Sequence, residues 1–289
     1  MIKAVIPAAG FGTRLFPASQ VVKKELFPVI DGGRTKPAIL AIVEEAVEAG
    51  LDEIAIVVRP GDVPLFASLF EPPPSSLWEK LKPLDRAYSE KIQGIGKRVT
   101  LLTQEIADGY GHAVWCAKDW VGNEPFVLFL GDHVYRSNLE ISCTEQLIEV
   151  YHRTQTSVIS LRLAQGASIS HSGCVSGDWM DDRTLSLSSI VEKPTLEEAR
   201  ANFQLDRLNP DEFLSMFGIY VLKPQIFECL EQQIQENMRD RGEFQLTSAL
   251  EALRPDIGMM GFLVNGRCFD FGMPHTYFET MVEFSRLNA

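Results

Sequence analysis

Short apolar runs recur through the first half of the chain, each followed by small or polar residues. Ile2 to Ile6 reads as a first strand, and Ala8-Ala9-Gly10-Phe11-Gly12-Thr13-Arg14 follows it directly. Pro37 then opens a helix that Gly50 closes. Its apolar face is Ile39, Ile42, Val43, Ala46 and Val47, with Glu44, Glu45 and Glu48 opposite. Ile54 to Val58 is unbroken apolar sequence of strand length, the pattern of a parallel strand buried on both faces. Val99 to Gln104 reads as another strand, followed by a helix from Gly111 to Trp120 and a strand from Phe126 to Leu130. Strands alternating with helices predict an α/β, doubly wound, Rossmann-like sheet, in which ligands gather at the carboxyl ends of the strands. The glycine-rich loop, Gln104 and the turn Gly131-Asp132-His133 all fall at such ends.

After Tyr151 the texture changes. Short strands are expected at 157–163, 173–176, 185–191 and 216–222, then helices near 224–235, 243–253 and 274–286. This second half reads as a smaller, mixed, partly antiparallel region. Residues 71–96 interrupt the pattern. Glu71-Pro72-Pro73-Pro74-Ser75-Ser76 cannot be helix or central strand, so an exposed excursion with one short helix near Leu77 to Lys82 is expected. No linker divides the chain, so 1–289 is read as one domain, with halves of about 1–150 and 151–289.

Composition narrows the possibilities. A 289-residue chain that is 45% hydrophobic can bury a large core. Its net charge of −12 argues against nucleic acid or an anionic membrane surface as partner. Against that trend, residues 1–30 hold Lys3, Arg14, Lys23 and Lys24 against Glu25 alone, which suggests a small anionic ligand. The cysteines Cys116, Cys143, Cys174, Cys229 and Cys268 show no paired spacing and read as free thiols of a reducing cytoplasm. The N-terminal apolar run is too short for a signal peptide, and no segment approaches the roughly 18 apolar residues of a membrane span. Oligomeric state is left open, homo-oligomers included.

The chemistry lies in four places. The small residues of the first loop let backbone N–H groups approach a polyphosphate, with Arg14 and Lys24 adding charge. The loop lacks the Gly-Lys-Ser/Thr ending of a P-loop and the third glycine of a dinucleotide fingerprint. Gln104, followed by Gly109-Tyr110-Gly111-His112-Ala113, suits a base edge that both donates and accepts, although alone it reads as a surface glutamine. Asp132 stands just past a buried strand, where it can bind a divalent metal or cap a turn; His133 reads as structural. Val191-Glu192-Lys193-Pro194 offers a carboxylate for sugar hydroxyls and an ammonium for a sugar phosphate, provided that a bend at Pro194 turns both to one side. Phe269-Asp270-Phe271-Gly272 adds a second acidic candidate.

In this order, these stretches resemble the bacterial UTP–glucose-1-phosphate uridylyltransferases of the sugar-phosphate nucleotidyltransferase superfamily. Lys24-Glu25-Leu26-Phe27-Pro28 and Gly242-Glu243-Phe244-Gln245-Leu246-Thr247 complete the series, which runs from Lys3 to about Glu283. The resemblance implies a nucleotide-diphospho-sugar transferase fold. It implies that Ala8, Ala9, Gly10, Gln104 and Gly109 hold the uracil and ribose end. Arg14 and Lys24 would hold the UTP phosphates. Asp132 and Asp270 would hold Mg²⁺, and Gly173, Glu192 and Lys193 would hold glucose 1-phosphate. No ligand role is carried over to Gly242–Thr247. The departures are His133-Val134-Tyr135 after Asp132, the longer loop Asp31-Gly32-Gly33-Arg34-Thr35 and the Pro-rich segment 71–76.

The implied reaction joins UTP and glucose 1-phosphate into UDP-glucose and pyrophosphate by in-line attack at the α-phosphorus. The alternatives are another nucleotide or sugar phosphate, or a non-catalytic nucleotide-sugar sensor. Adenylyl- and thymidylyltransferases of similar fold usually begin with Gly-Gly where Ala8-Ala9 stand here.

Overall fold

The computed structural model describes residues 2–287. The first half supplies strands β1 (Lys3–Pro7), β2 (Pro28–Asp31), β3 (Arg34–Pro37), β4 (Ile54–Val58), β5 (Val99–Thr103), β6 (Phe126–Phe129) and β7 (His133–Ser137). The second half adds β8 (Val158–Gln165), β9 (Cys174–Trp179), β10 (Thr184–Val191), β11 (Glu212–Leu222), β12 (Met260–Leu263) and β13 (Gly266–Asp270). One nine-stranded sheet runs in the order β5-β4-β1-β6-β11-β8-β12-β10-β9. The β5-β4-β1-β6 half is parallel throughout. The rest is antiparallel except for β12 against β8.

Side chains alternate between two apolar layers, as the pleat requires. Ala4 and Ile6 of β1 join Ile54, Ile56 and Val58 of β4 in one layer. Val5 and Val57 join Phe126 and Leu128 in the other. Phe126 is fully buried. Truncating it to alanine would cost about 3–5 kcal/mol, from lost transfer energy and the cavity left behind.

β11 ties the two halves together. One of its edges lies along β8. The other meets β9 at Leu214–Ser215 and β6 from Ile219 to Leu222. With that second pairing, β8, β12, β10, β9 and β11 hydrogen-bond in a closed circuit. Two ribbons flank the sheet, the hairpin β2–β3 and the antiparallel pair β7–β13.

Three expectations are corrected. The face of helix Ala38–Glu48 that carries Glu44 is covered. Glu44 is buried and accepts from Lys36 at 2.6 Å and Lys91 at 2.9 Å, while Glu45 takes the Thr144 N–H at 3.0 Å and its hydroxyl at 2.8 Å. The covering element is a 14-residue helix, Pro83–Gly96, within the expected excursion. The short helix there is Ser75–Trp78, earlier than expected. Pro83 starts the longer helix, where its missing N–H costs nothing. The helix expected at 111–120 is two, Tyr110–Trp115 and Lys118–Val121, because the chain tightens where the Ala117 N–H bonds to the Val114 carbonyl three residues back.

Candidate active site

The site sits where β1, β5 and β6 end. The Ala8 N–H is held by the Val57 carbonyl at 2.7 Å and the Gln104 N–H by the Val58 carbonyl at 2.8 Å. Both loops therefore leave the sheet at fixed points. At the end of β6, a Cβ on residue 131 would lie 2.1 Å from the Pro7 carbonyl oxygen. Only glycine lets the two strand ends come so close. They border a cleft of about 330 Å³ lined by Ala9, Gly10, Arg14, Lys24, Glu25, Gln104, Gly109, Tyr110, Asp132 and Glu243.

The acidic corner is assembled by the β7–β13 ribbon. Its register sets Asp270 opposite His133, and the Phe271 N–H bonds to the Asp132 carbonyl at 3.0 Å. One ligand atom each from Asp132, His133 and Asp270 lie within 4.8 Å of one another. The Lys24 ammonium donates to Asp132 Oδ2 at 2.7 Å and stands 3.7 Å from Glu25 Oε1. Burial works against charge in both partners, but their attraction prevails. It holds the Lys24 ammonium above its usual range and the Asp132 carboxyl well below its own. Glu25 is 1% exposed and its Oε2 has no hydrogen-bond partner. Burial pushes its carboxyl up to about 7, against the pull of Lys24 and Lys23.

Opposite this corner the contacts of Gln104 itself are with uncharged groups. The Gln104 amide nitrogen donates to the Gly109 carbonyl at 3.2 Å and meets His112 Nδ1 at 2.9 Å. Both amide protons are thus committed to protein, and the carbonyl Oε1 accepts no hydrogen bond among the described residues. Gly109 has φ +101°, and a side chain there would strike the Phe244 carbonyl. That same carbonyl accepts from Gly111 at 2.8 Å, and the Phe244 N–H bonds to Asp108 at 3.2 Å. Arg239 closes the neighbourhood with a two-pronged ion pair to Asp108 while lying over the Phe244 ring.

The Glu192–Lys193 pair lies outside this cleft. Lys193 has φ +48°, so the chain turns at the lysine itself, not at Pro194. That turn brings its Nζ within 3.1 Å of Glu192 Oε1. Glu192 Oε2 accepts from the Thr247 hydroxyl at 2.7 Å.

Residues 3–285 match the nucleotidyl transferase family. The chain is also 32% identical over 288 residues to the UTP–glucose-1-phosphate uridylyltransferase of Bacillus subtilis, covering 98% of this chain and 90% of that one. The chain belongs to the nucleotidyl transferase family. Among solved structures, an apo UDP-glucose pyrophosphorylase matches this nucleotidyl transferase with a TM-score of 0.85 at 27% identity, over the whole of both chains. The UTP-bound enzyme from Acinetobacter baumannii matches with a TM-score of 0.79 at 28% identity, over 98% of this chain and 93% of that one.

Of the residues singled out from sequence, this nucleotidyl transferase gathers Ala9, Gly10, Arg14, Lys24, Gln104, Gly109 and Asp132 in one cleft, with Asp270 beside Asp132. Ala8 is buried behind the loop. Gly173, whose carbonyl accepts from Met216 at 2.8 Å, lies outside the cleft like Glu192 and Lys193. Gln104 is not a surface residue but 3% exposed. The expected basic patch separates. Lys3 is bonded to the Trp120 carbonyl at 2.8 Å, at the far end of β1. Lys23 is buried and pins the loop by donating to the Gly10 carbonyl at 2.7 Å, with Asp62 at 3.2 Å.

Sequence reasoning missed His112, which orients Gln104. It also missed Thr247, which holds Glu192, and Glu25, which it counted only as a countercharge. The spacing of Gln104 and His112 around two glycines was visible, but nothing local shows which neighbour a buried amide turns to. The segment 242–247, left without a ligand role, joins the Gly109 loop to Glu192 through Phe244 and Thr247.

Proposed function

We infer that this chain transfers a uridylyl group from UTP to glucose 1-phosphate, forming UDP-glucose and pyrophosphate. The observation that carries this reading is one cleft joining an unpaired cation, a cation paired to an acidic corner, and a neutral base-sized wall. It occurs in a chain 32% identical to enzymes named for that reaction.

The exposed Arg14 has no ion-pair partner among the described residues, so its guanidinium is available to phosphate oxygens. Lys24 is already held at the cleft wall by Asp132. The Gln104 carbonyl suits the N3–H of uracil, and Gly109 is placed to border the ring. Glucose 1-phosphate would lie toward Glu192 and Lys193, with the carboxylate accepting from sugar hydroxyls.

A phosphate oxygen of glucose 1-phosphate attacks the α-phosphorus of UTP. As that O–P bond forms, the bond to the β-phosphate oxygen breaks and pyrophosphate leaves with the electron pair. The nucleophile is anionic, so no side chain must take a proton. The protein's work is positioning and charge neutralisation.

Two carboxylates, Asp132 just before β7 and Asp270 at the end of β13, fit a hard divalent cation, with the His133 ring bonded to Asp132 Oδ1 at 2.9 Å; Asp132 and Asp270 would hold Mg²⁺. When bound, the ion neutralises phosphate charge. Asp132→Asn is expected to raise the Mg²⁺ concentration that gives half-maximal activity; an unchanged curve would move the metal elsewhere.

The test of the reaction is pyrophosphate release measured across nucleoside triphosphates and sugar 1-phosphates. Release should be fastest with UTP and glucose 1-phosphate. No release with that pair, or faster release with another, would overturn the assignment.

A further inference from the structure

Another cavity, of about 480 Å³, opens between the second-half strands and the β7–β13 ribbon. It is lined by Arg162 of β8, Arg183 of the β9–β10 turn and Arg267 of β13, with Asn138, Asn265 and the buried ring of Phe217. No aspartate or glutamate lines it, in a chain of net charge −12. Arg267 pairs with Glu283 at the rim. The other two guanidinium groups have no ion-pair partner among the described residues. Arg183 donates to the Leu263 carbonyl at 2.9 Å, and Arg162 reaches only the Cys268 sulfur at 3.5 Å. The Arg162 Nε is buried without a hydrogen-bond partner. A buried guanidinium nitrogen without a partner calls for an explanation, and the guanidinium fork matches the planar, bidentate geometry of anionic oxygens.

We propose that this cavity binds a small phosphate-bearing metabolite through Arg162 and Arg183, apart from the nucleotide cleft. The two guanidinium groups take the phosphate oxygens. Asn138 and Asn265, whose amides bond to each other at 3.2 Å, leave one amide oxygen and one amide nitrogen for hydroxyls, and the Phe217 side gives an apolar floor. The volume lies within the range of small-ligand sites and exceeds what a lone ion needs. The inference does not depend on the transfer reaction.

The test is equilibrium dialysis of the whole protein with labelled inorganic phosphate, with and without saturating UDP-glucose. One phosphate per chain should remain bound when UDP-glucose is present. Arg183→Gln and Arg162→Gln should each weaken that binding about tenfold or more and leave UDP-glucose affinity unchanged. Arg183 lies half-exposed in a turn, so its variant decides the matter if Arg162→Gln does not fold. Complete displacement of phosphate by UDP-glucose would overturn the proposal, and so would retention undiminished in both variants. Citrate binding there more tightly than phosphate would overturn the phosphate assignment.

Discussion

At the phosphate end of the site, Lys24, Asp132 and Asp270 come from three distant segments and are held by half-buried charge. At the proposed sugar end, Glu192 and Lys193 are neighbours in the chain, held by one left-handed turn and one hydroxyl. The first arrangement is preset. Lys24 and Asp132 are already paired, so a polyphosphate arriving there would meet a fixed ion pair beside the exposed, unpaired Arg14. The second is partly exposed and local, so a substitution there disturbs little else. On the proposed assignments, reaction type and sugar preference would be carried by parts of different construction, one assembled from distant segments and one from chain neighbours.

Lys24→Ala tests the rigid end most severely. Turnover should fall about 10²–10³-fold, the order seen when one preorganised donor aimed at developing charge is removed from an active site. Circular dichroism should show the fold intact. A Glu192→Gln loss of the same size would erase the contrast between the two ends.

Glu25 gives the next effect. Its carboxyl sits at about 7 in the fold, because of burial first of all. In the unfolded chain it lies near about 4.3. A value raised on folding stabilises below the unfolded value and is lost as pH rises through 7. Ionised Glu25 thus costs the fold roughly 2–4 kcal/mol relative to the neutral acid. Glu25→Gln is neutral throughout, so its stability advantage over the wild type should grow from pH 5 to pH 8. Urea unfolding at both pH values measures this, and equal offsets would refute it.

Gln104→Leu probes the neutral wall between the two ends. Loss of one buried amide contact should raise the apparent KM for UTP by an amount corresponding to about 1–3 kcal/mol. Inhibition by pyrophosphate, which has no base, should be nearly unchanged. Equal losses for both ligands would remove base recognition from Gln104.

The smallest effect belongs to the sugar end. Glu192→Gln keeps an acceptor and loses only charge, so discrimination between glucose 1-phosphate and galactose 1-phosphate should fall by about tenfold or less. Steady-state kinetics with both sugars provides the measurement, and wild-type discrimination would take Glu192 out of the sugar site.

What could be read from the chain follows the same division. Ile54–Val58 and Phe126–Phe129 were legible because a strand buried on both faces leaves an unbroken apolar run. The loop after β1 was legible because small residues at a strand end have few other uses. Helix Pro83–Gly96 was not legible, since Ile95 is its one buried residue and its work is polar, capping Glu44 with Tyr88 and Lys91. The circuit through β9 and β11 was not legible either, because register between short antiparallel strands is absent from any local pattern. Asp132 and Asp270 were each legible as acidic candidates beside a strand, but not as a pair. The β7–β13 register that sets them together is a long-range fact.

Strand β11 has a consequence for taking this protein apart. A break in the chain at Thr156, between helix Cys143–Thr154 and β8, would separate β6 from β11 and leave both fragments with a bare, apolar sheet edge. Neither piece could satisfy those backbone groups alone, so each should aggregate when expressed by itself. Expressed together, the two should find each other along β6 and β11 and rebuild the cleft. The two halves would then act as a split-protein pair, and recovered pyrophosphate release would report their joining.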